Sequence, residues 1–262
     1  MIMHPNIDPV AIHIGPLSIH WYGIAYLVAF LLFWWLGTIR AKRPDSPFTQ
    51  EEIGDLLFYG AMGVVLGGRL GYVVFYNLTY YLQNPASIFH VWDGGMSFHG
   101  GLIGVLTALW IYGRKKGSSF FRTMDFVAPL TPPGFFVGRI ANFVNQELWG
   151  RPTDMPWGVV FPRLDDIPRH PSQLYEATLE GFVLFVILWI YSRKPRATGR
   201  VSALFLIFYG LFRIVVEFFR EPDRQIGFVA FGWLTKGHLL SIPMVLAGLL
   251  LFWWAGRNTS RS

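Results

Sequence analysis

Residues 18–38 of the chain read SIHWYGIAYLVAFLLFWWLGT, a run that contains no Asp, Glu, Lys or Arg. A helix needs about 20 apolar residues to cross the hydrocarbon core of a bilayer, so this run predicts a membrane-spanning helix. It is too rich in aromatic side chains, and lacks the basic start, to be a cleaved signal peptide.

Six further segments have a comparable length and apolar character: 55–77, 95–113, 123–142, 173–191, 201–217 and 237–255. The sequence therefore predicts an all-α polytopic membrane protein with about seven transmembrane helices, forming a single domain over residues 1–262. Two long outer loops, about 143–172 and 218–236, are rich in Pro, Trp and Asp, and we expect them to form structured elements outside the cytoplasm.

The composition agrees with a membrane protein. Hydrophobic residues make up 53% of the chain and aromatic residues 18%, whereas only 15% are charged and the mean hydropathy is +0.39. A soluble domain carries roughly 25% charged residues, so these values exclude disorder and argue against a water-soluble globule. The net charge of +6 is better explained by a membrane than by nucleic acid, and no nucleic-acid partner is expected.

Basic residues predict the orientation, because Lys and Arg collect in cytoplasmic loops. With the N-terminus outside, 13 Lys and Arg fall on the cytoplasmic side and 6 on the outer side. The remaining three, Arg69, Arg139 and Arg213, fall inside predicted spans. We therefore expect the N-terminus outside and the C-terminus in the cytoplasm.

The chain has no cysteine, which excludes a cysteine nucleophile, thiolate metal sites and disulfides. The seven histidines are scattered, with no HxH or HxxxH pair. The sequence therefore predicts neither a metal site nor a cofactor.

Polar side chains from six predicted helices converge on one depth near the outer surface. A charge at membrane depth is costly unless it is paired, so each such residue is a candidate functional group. The convergent residues are His20, Tyr22, Arg69, His99, Arg139, Gln173, Tyr175, Glu176 and Arg213.

Helical spacing groups some of these residues. Tyr209, Arg213, Glu217 and Arg220 follow one face, and Arg139, Asn142 and Gln146 share another face if the helix continues that far. Structural interpretations remain open at this point. Arg213 and Glu217 could form an ion pair that only holds the bundle, Arg69 could extend outward to the interface, and His99 could be a core histidine.

Arginines near the outer interface point to a phosphate ligand, because the planar guanidinium fork suits phosphate oxygens. At headgroup depth that phosphate belongs to a phospholipid, and a neutral histidine could serve as a base near pH 7. This chemistry fits a phospholipid transferase, a hydrolase or a lipid transporter, and it does not choose among them.

Residues 138–150, GRIANFVNQELWG, resemble the signature G-R-x-[GA]-N-F-x-N-x-E-x-x-G of the bacterial prolipoprotein diacylglyceryl transferases at every fixed position. Five further blocks are similar to the family's other blocks, in the same order: HWYG (20–23), GGRLG (67–71), HGGLIG (99–104), HPSQLYE (170–176) and RIVVEFFREP (213–222). Nearly the whole chain is covered.

The resemblance implies an enzyme of the bacterial inner (cytoplasmic) membrane, with its active site toward the periplasmic side. It would transfer the diacylglyceryl group of phosphatidylglycerol to the lipobox cysteine thiol of a preprolipoprotein signal peptide, forming a thioether and releasing glycerol phosphate. Membrane lipids are the other expected partners. The functionally critical family residues correspond to His99, Arg139 and Arg213, and three more correspond to Tyr22, Asn142 and Glu147.

Our hypothesis assigns each residue a role. Arg139 and Arg213 clamp the leaving phosphate, and His99 is the base or orients the thiol, which is only about 3% ionised at pH 7. His99 could instead act indirectly, through another residue. The predicted substrate-binding set is Arg139, Asn142, Glu147, Tyr22, Glu217, Arg69, Tyr209 and Gly150.

Two other functions remain open. A lipid or anion transporter could use the same arginines, but it predicts charged sites accessible from both faces, and the inner halves of the spans carry almost none. A structural scaffold leaves the convergent arginines unexplained.

Overall fold

The structure is a computed structural model that describes residues 2–222 and 227–259 and is predominantly helical. The chain divides into two compact units, one formed by Met1–Phe33 with Val127–Ser262 and the other by Trp34–Phe126. Arg224 and Arg261, which were used to predict orientation, and residues 223–226 of the predicted outer loop lie outside the described residues.

The described helices follow the predicted apolar segments closely. In chain order they are α1 (Trp21–Ala41), α2 (Glu52–Tyr76), α3 (Leu78–Gln83), α4 (Phe98–Lys115), α5 (Phe120–Val127), α6 (Pro132–Val144), α7 (Ser172–Glu176), α8 (Leu184–Tyr191), α9 (Arg200–Glu217) and α10 (Lys236–Thr259). A π-helical segment, Ala177–Val183, joins α7 to α8. The resulting helix runs from Ser172 to Tyr191.

Among the described residues, four helices are long and apolar enough to cross a membrane: Trp21–Ala41, Glu52–Tyr76, Ser172–Tyr191 and Lys236–Arg257. In the first and last of these helices, only 17% of the apolar 18-residue stretch is buried within the protein. Such wide exposed apolar surfaces need a non-aqueous surrounding. The predictions of spans at 18–38, 55–77, 173–191 and 237–255 are therefore confirmed as apolar helices of membrane-spanning length.

The predicted helix 123–142 is interrupted in the structure. It is divided into α5, a 3₁₀ turn at Ala128–Leu130, and α6. Prolines 129, 132 and 133 explain the break, because proline lacks an N–H group and its ring collides with the preceding turn. The prolines at 132 and 133 then occupy the first turn of α6, where the missing N–H groups cost nothing.

The described residues also contain five short strands, which the all-α prediction did not include, although structured elements were expected in the loop 143–172. The strands are β1 (Ile2–Met3), β2 (Val10–Ile14), β3 (Leu17–His20), β4 (Val159–Val160) and β5 (Pro168–Arg169). β2 and β3 form an antiparallel hairpin that leads directly into α1, while β4 pairs with β1 in parallel and with β5 antiparallel. The N-terminal residues and the predicted outer loop 143–172 thus share one small sheet.

In the first unit, α6 packs closely on the π-helical segment because Gly181 has no side chain. A Cβ atom at Gly181 would lie 2.7 Å from the Cα atom of Phe136. This close approach positions Arg139, one turn beyond Phe136, beside the carboxylates of the π-helical region. Further along, Ala128, Leu184, Leu188 and Val201 form a buried apolar cluster.

In the second unit, α2 and α4 are in backbone contact through glycines. A Cβ atom at Gly67 would lie 2.7 Å from Gly104 Cα, and one at Gly71 would lie 2.7 Å from Gly100 Cα. Small residues at four-residue spacing permit this close approach of the two helices. The glycines at 134 and 138 on α6 differ, since a Cβ at Gly134 would make only an ordinary 3.6 Å contact and one at Gly138 would meet open space.

Candidate active site

Arg139 and Glu176 form the shortest ion pair of the site. Arg139 is on α6, and its Nε lies 2.6 Å from Oε2 of Glu176, which ends α7. The outer nitrogens of the same guanidinium make two longer contacts. Nη2 lies 4.0 Å from Glu180 Oε2, and Nη1 lies 3.5 Å from Asn142 Oδ1. One edge of Arg139 is therefore firmly paired, and the other is only loosely held.

Arg213 reaches the same carboxylates from α9. Its Nη1 lies 3.3 Å from Glu176 Oε2 and 3.6 Å from Glu180 Oε1. Its Nη2 lies 2.8 Å from Oε2 of Glu217, one helical turn further along α9. The pairing of Arg213 with Glu217 follows the predicted face of α9, and Arg213 is bracketed by carboxylates from two helices.

Burial makes this cluster interdependent. Glu176 is fully buried and Glu180 is 1% exposed, whereas the side chains of Arg213 and Arg139 are 12% and 23% exposed. Buried carboxylates are stable only when cations stay beside them, and removing one partner of such a pair is strongly destabilising. The arginines are thus fixed at the boundary between the interior and the outside.

A second cluster lies on the other side of Arg139. The Tyr22 hydroxyl donates to Glu147 Oε2 at 2.6 Å, and the Asn142 amide donates both to the Tyr22 oxygen and, at 3.4 Å, to Glu147 Oε2. Asn142 is 8% exposed, whereas Glu147 is exposed. A buried amide and a phenol therefore present an exposed carboxylate next to the guanidinium of Arg139.

The backbone after α6 turns sharply to bring Glu147 back toward the helix. α6 ends at Val144, and Gln146 and Leu148 adopt left-handed conformations with φ of +58° and +54°. The Gln173 amide donates to the Glu147 carbonyl at 2.6 Å and fixes this turn. Gln146 therefore does not continue the face of Arg139 and Asn142, because the helix ends first. Its amide instead donates to Asn6 Oδ1 at 3.1 Å.

Gly150 ends the signature at a crowded crossing of loops. Its N–H donates to the His170 carbonyl at 3.0 Å, and a Cβ there would lie 2.7 Å from the Phe219 carbonyl oxygen. Only glycine fits this approach. Arg151 then donates to the Arg220 and Glu217 carbonyls, at 2.9 and 3.2 Å, and so holds the C-terminal end of α9.

Tyr209 lies one turn before Arg213 on α9 and packs among aromatic rings. Its ring stacks on Phe205 with centroids 5.7 Å apart and a 2° interplanar angle, and it lies 5.5 Å from the ring of Phe135. These contacts fix the phenol on the face of α9 that carries Arg213.

The second unit carries the other two predicted site residues, Arg69 and His99. Arg69 is 5% exposed, and its guanidinium donates to four backbone carbonyls, among them those of Ile88 and Ser87 at 2.8 and 2.6 Å. It also lies over the ring of Tyr81 at 5.2 Å. Arg69 thus ties the segment after α3 to α2.

His99 is exposed in the first turn of α4, and its ring makes an edge contact with Phe98. Ser97 caps this helix by accepting the N–H of Gly100 at 3.2 Å. The described residues include no group of His, Asp and Glu able to hold a metal ion.

The chain is similar to known proteins over nearly its whole length. The model of the family "Prolipoprotein diacylglyceryl transferase" matches residues 9–254. The chain belongs to this family.

Individual family members are similar over nearly their full length. Each relative is named phosphatidylglycerol–prolipoprotein diacylglyceryl transferase. The one from Pseudomonas fluorescens (strain SBW25) is 57% identical, over 97% of this chain and 96% of its own. The relative from Pseudomonas aeruginosa (strain LESB58) is 58% identical over 98% of this chain and 97% of its own. The relative from Nitratidesulfovibrio vulgaris (strain DP4) is 57% identical over 96% of this chain and 95% of its own.

Two carboxylates of the ion cluster, Glu176 and Glu180, are missing from the site predicted from the sequence. The sequence predicts Glu176 only as a polar residue at the outer depth, with no role in the site, and the predicted site does not include Glu180. Their spacing of four residues could have indicated a shared helix face. The π-helical segment that brings both to Arg213 has no equally simple sequence signal.

Proposed function

We propose that this chain transfers the diacylglyceryl group of phosphatidylglycerol to the lipobox cysteine of a preprolipoprotein, the first step of bacterial lipoprotein maturation. Membership of the family and the activity named for its relatives support this reaction class. One observation carries the proposal for the site: guanidinium groups from two helices, Arg139 and Arg213, meet at a single carboxylate oxygen of Glu176.

Arg139 and Arg213 form the phosphate clamp. The outer nitrogens of Arg139 have the longer protein contacts, 3.5 and 4.0 Å, so they are the donors that can turn to phosphate oxygens. Arg213 is held on two sides by Glu176 and Glu217, and it contributes positive potential from a fixed position. Such preorganised charge stabilises a leaving group as its negative charge grows.

The reaction is a displacement at carbon. The thiolate of the peptide cysteine attacks the diacylglyceryl carbon that is bonded to the phosphate oxygen, so a C–S bond forms as that C–O bond breaks. The electron pair leaves with glycerol phosphate, whose second negative charge faces the clamp. The thiol proton must be removed, and the assignment of this step to His99 stays a prediction from the resemblance.

The headgroup glycerol is bound by the Tyr22, Asn142 and Glu147 cluster. The exposed Glu147 carboxylate accepts hydrogen bonds from glycerol hydroxyls, and Tyr22 and Asn142 orient it. Glu217 holds Arg213, Tyr209 supports the same face of α9, and Gly150 permits the loop crossing beside it. For Arg69, a lipid contact stays a prediction, since its described hydrogen bonds go to backbone carbonyls.

The enzyme is a multi-pass protein of the bacterial inner membrane, with about seven spans, the N-terminus outside and the active site toward the periplasm. α4 and α9, which follow the predicted spans 95–113 and 201–217, supply two spans beyond the four apolar helices. α5, the turn and α6 together supply the seventh. The partners are phosphatidylglycerol, signal peptides with a lipobox cysteine and membrane lipids, with no nucleic acid.

The transfer is tested directly with purified protein, phosphatidylglycerol and a lipobox peptide, using mass spectrometry to detect a diacylglyceryl–cysteine adduct. We expect the adduct with the wild type and with Arg163→Ala, a matched control in an exposed outer loop. Arg139→Ala, Arg213→Ala and a peptide with serine in place of cysteine should give none. Lipid binding without any adduct from the wild type would favour a lipid transporter instead.

Orientation is tested by single cysteines, because the chain has none of its own. A cysteine replacing exposed Asp154 should react with a membrane-impermeant maleimide in spheroplasts, and one replacing exposed Lys194 should react only after the membrane is opened. The reverse pattern would overturn the assigned orientation.

A further inference from the structure

The N-terminus of α10 encloses the carboxylate of Glu217. The Thr235 hydroxyl lies 2.8 Å from Glu217 Oε1, while the other oxygen, Oε2, lies 2.8 Å from Arg213 Nη2. Thr235 and Glu217 are 3% and 4% exposed. One carboxylate therefore joins a hydroxyl of α10 to the guanidinium of α9, away from solvent.

Gly237 leaves the space that this carboxylate occupies. A Cβ atom at Gly237 would lie 2.6 Å from Glu217 Oε2 and 2.7 Å from Oε1, both well inside van der Waals contact. Gly237 is in the first turn of α10, where its conformation is ordinary, so the lack of a side chain there is explained by the carboxylate and not by the backbone.

His238 and Thr235 hold one another at the start of α10. The Thr235 N–H donates to His238 Nδ1 at 3.3 Å, and the His238 N–H donates to Thr235 Oγ1 at 3.5 Å, so the two residues cap the helix reciprocally. Nδ1 thus acts as an acceptor, and it also lies 3.0 Å from Thr235 Oγ1. The carboxylate is the stronger acceptor because it is charged, so the hydroxyl proton points to Glu217.

We infer that Thr235, Gly237 and His238 form a carboxylate cradle that positions Glu217 and, through Glu217, the Arg213 guanidinium. The inference rests on the proposed function, since it assigns these residues to the phosphate clamp of the transferase. They are positioning residues: Thr235 orients the carboxylate, Gly237 gives it room, and His238 orients Thr235. Without the cradle, Glu217 turns away and Arg213 shifts toward Glu176 and Glu180.

Two variants separate the cradle from a simple helix cap. Gly237→Ala favours the helix, because alanine is the better helix former, but its methyl group displaces the Glu217 carboxylate. Thr235→Gly also leaves an acceptable helix cap but has no side chain that could donate to Glu217. Thr235→Ser keeps both the cap and the hydroxyl. Ser241→Ala is the matched control, because the Ser241 hydroxyl is equally buried on α10 but donates to the Gly237 carbonyl at 2.7 Å.

The variants are measured as full-length protein in detergent with phosphatidylglycerol and a lipobox peptide. We expect kcat/KM for phosphatidylglycerol to fall about tenfold or more in Gly237→Ala and Thr235→Gly, as for a misplaced catalytic group. The KM for the peptide should stay near wild type, and melting curves should show that each variant is folded at the assay temperature. Thr235→Ser and Ser241→Ala should keep wild-type kinetics. Wild-type kinetics in Gly237→Ala or in Thr235→Gly would overturn the cradle.

Lipid binding supplies a readout that does not depend on turnover. Phosphatidylglycerol should raise the melting temperature of the wild type, and this increase should be smaller in Gly237→Ala. If the wild type binds lipid without transferring it, the proposed function is wrong. The cradle is then still tested by comparing the lipid-induced increase in melting temperature of the wild type with that of Gly237→Ala. If lipid stabilises neither protein, both proposals are wrong.

Discussion

The hydroxyl of Tyr22 donates to the carboxylate of Glu147 at 2.6 Å, joining the first residues of α1 to a loop 125 residues further along the chain. The Asn142 amide completes the group by donating to both. Because Glu147 is exposed, this hydrogen bond orients a carboxylate that is accessible from outside the protein.

Tyr22→Phe should lower kcat/KM for phosphatidylglycerol about tenfold, since one hydrogen bond to a charged group is lost and the Asn142 amide loses a partner. Steady-state transfer assays would measure this. The matched control is Tyr26→Phe, a largely exposed tyrosine one turn along the same helix, which should leave the kinetics unchanged. Equal effects of the two substitutions would argue against a headgroup role for Tyr22.

Arg139→Lys should retain the fold but lose about 100-fold in kcat. A lysine can still pair with Glu176, but its single ammonium group cannot donate to the phosphate at the same time from a second edge. Loss of one hydrogen-bond donor to the transition state lowers kcat by about 100-fold. Melting curves and transfer rates would be compared with Arg163→Lys, at an exposed site in the outer loop. Near wild-type kcat in the Arg139→Lys variant would show that the second edge is unnecessary.

Glu180→Gln should lower the melting temperature by a few degrees, because a buried carboxylate that balances two guanidinium groups is removed. Removing this carboxylate makes the site more positive, so the KM for phosphatidylglycerol should not rise. The kcat should fall, because Arg213 loses a carboxylate that holds it in position. Glu221→Gln is the control, since that carboxylate is partly exposed and 3.5 Å from Arg169. A raised lipid KM with unchanged kcat would contradict this assignment.

The two outermost glycines of the signature should respond differently to alanine. Gly150→Ala should destabilise the loop crossing and reduce the yield of folded protein, because the methyl group collides with the His170 and Phe219 carbonyls. Gly138→Ala should leave the melting temperature equal or slightly higher, since its Cβ meets open space on a helix. Lost transfer in a fully stable Gly138→Ala protein would locate a substrate contact at that position.

Acid should destabilise the N-terminal strand through His4. This side chain is 3% exposed beside the rings of Phe143 and Phe161, and burial lowers its pKa below the ordinary 6.5. The unfolded chain then binds the proton first, so the stabilisation present above pH 6.5 is lost as pH falls through the folded-state pKa. Melting temperature between pH 8 and 5 should fall more steeply in the wild type than in His4→Gln, and equal slopes would exclude His4 as the cause.

Much of the helical framework follows from local sequence. The apolar runs at 18–38, 55–77, 173–191 and 237–255 predict helices that the structure contains, because length and hydropathy are local properties. The i, i+4 pairing of Arg213 with Glu217 was equally predictable from helical spacing. Prolines 129, 132 and 133 could have predicted the break before α6, but the apolar character of the segment outweighed them.

Composition, spacing and motifs are enough to predict the apolar helices, the family and the chemical types of the site residues. The packing of helices against one another determines which charges from different helices meet. Glu180 joins Arg213 through a π-helical segment packed against α6 at Gly181, and Thr235 reaches Glu217 from the next helix. Such contacts depend on how separate helices approach one another, and that approach is fixed by packing between distant residues, which no local pattern encodes.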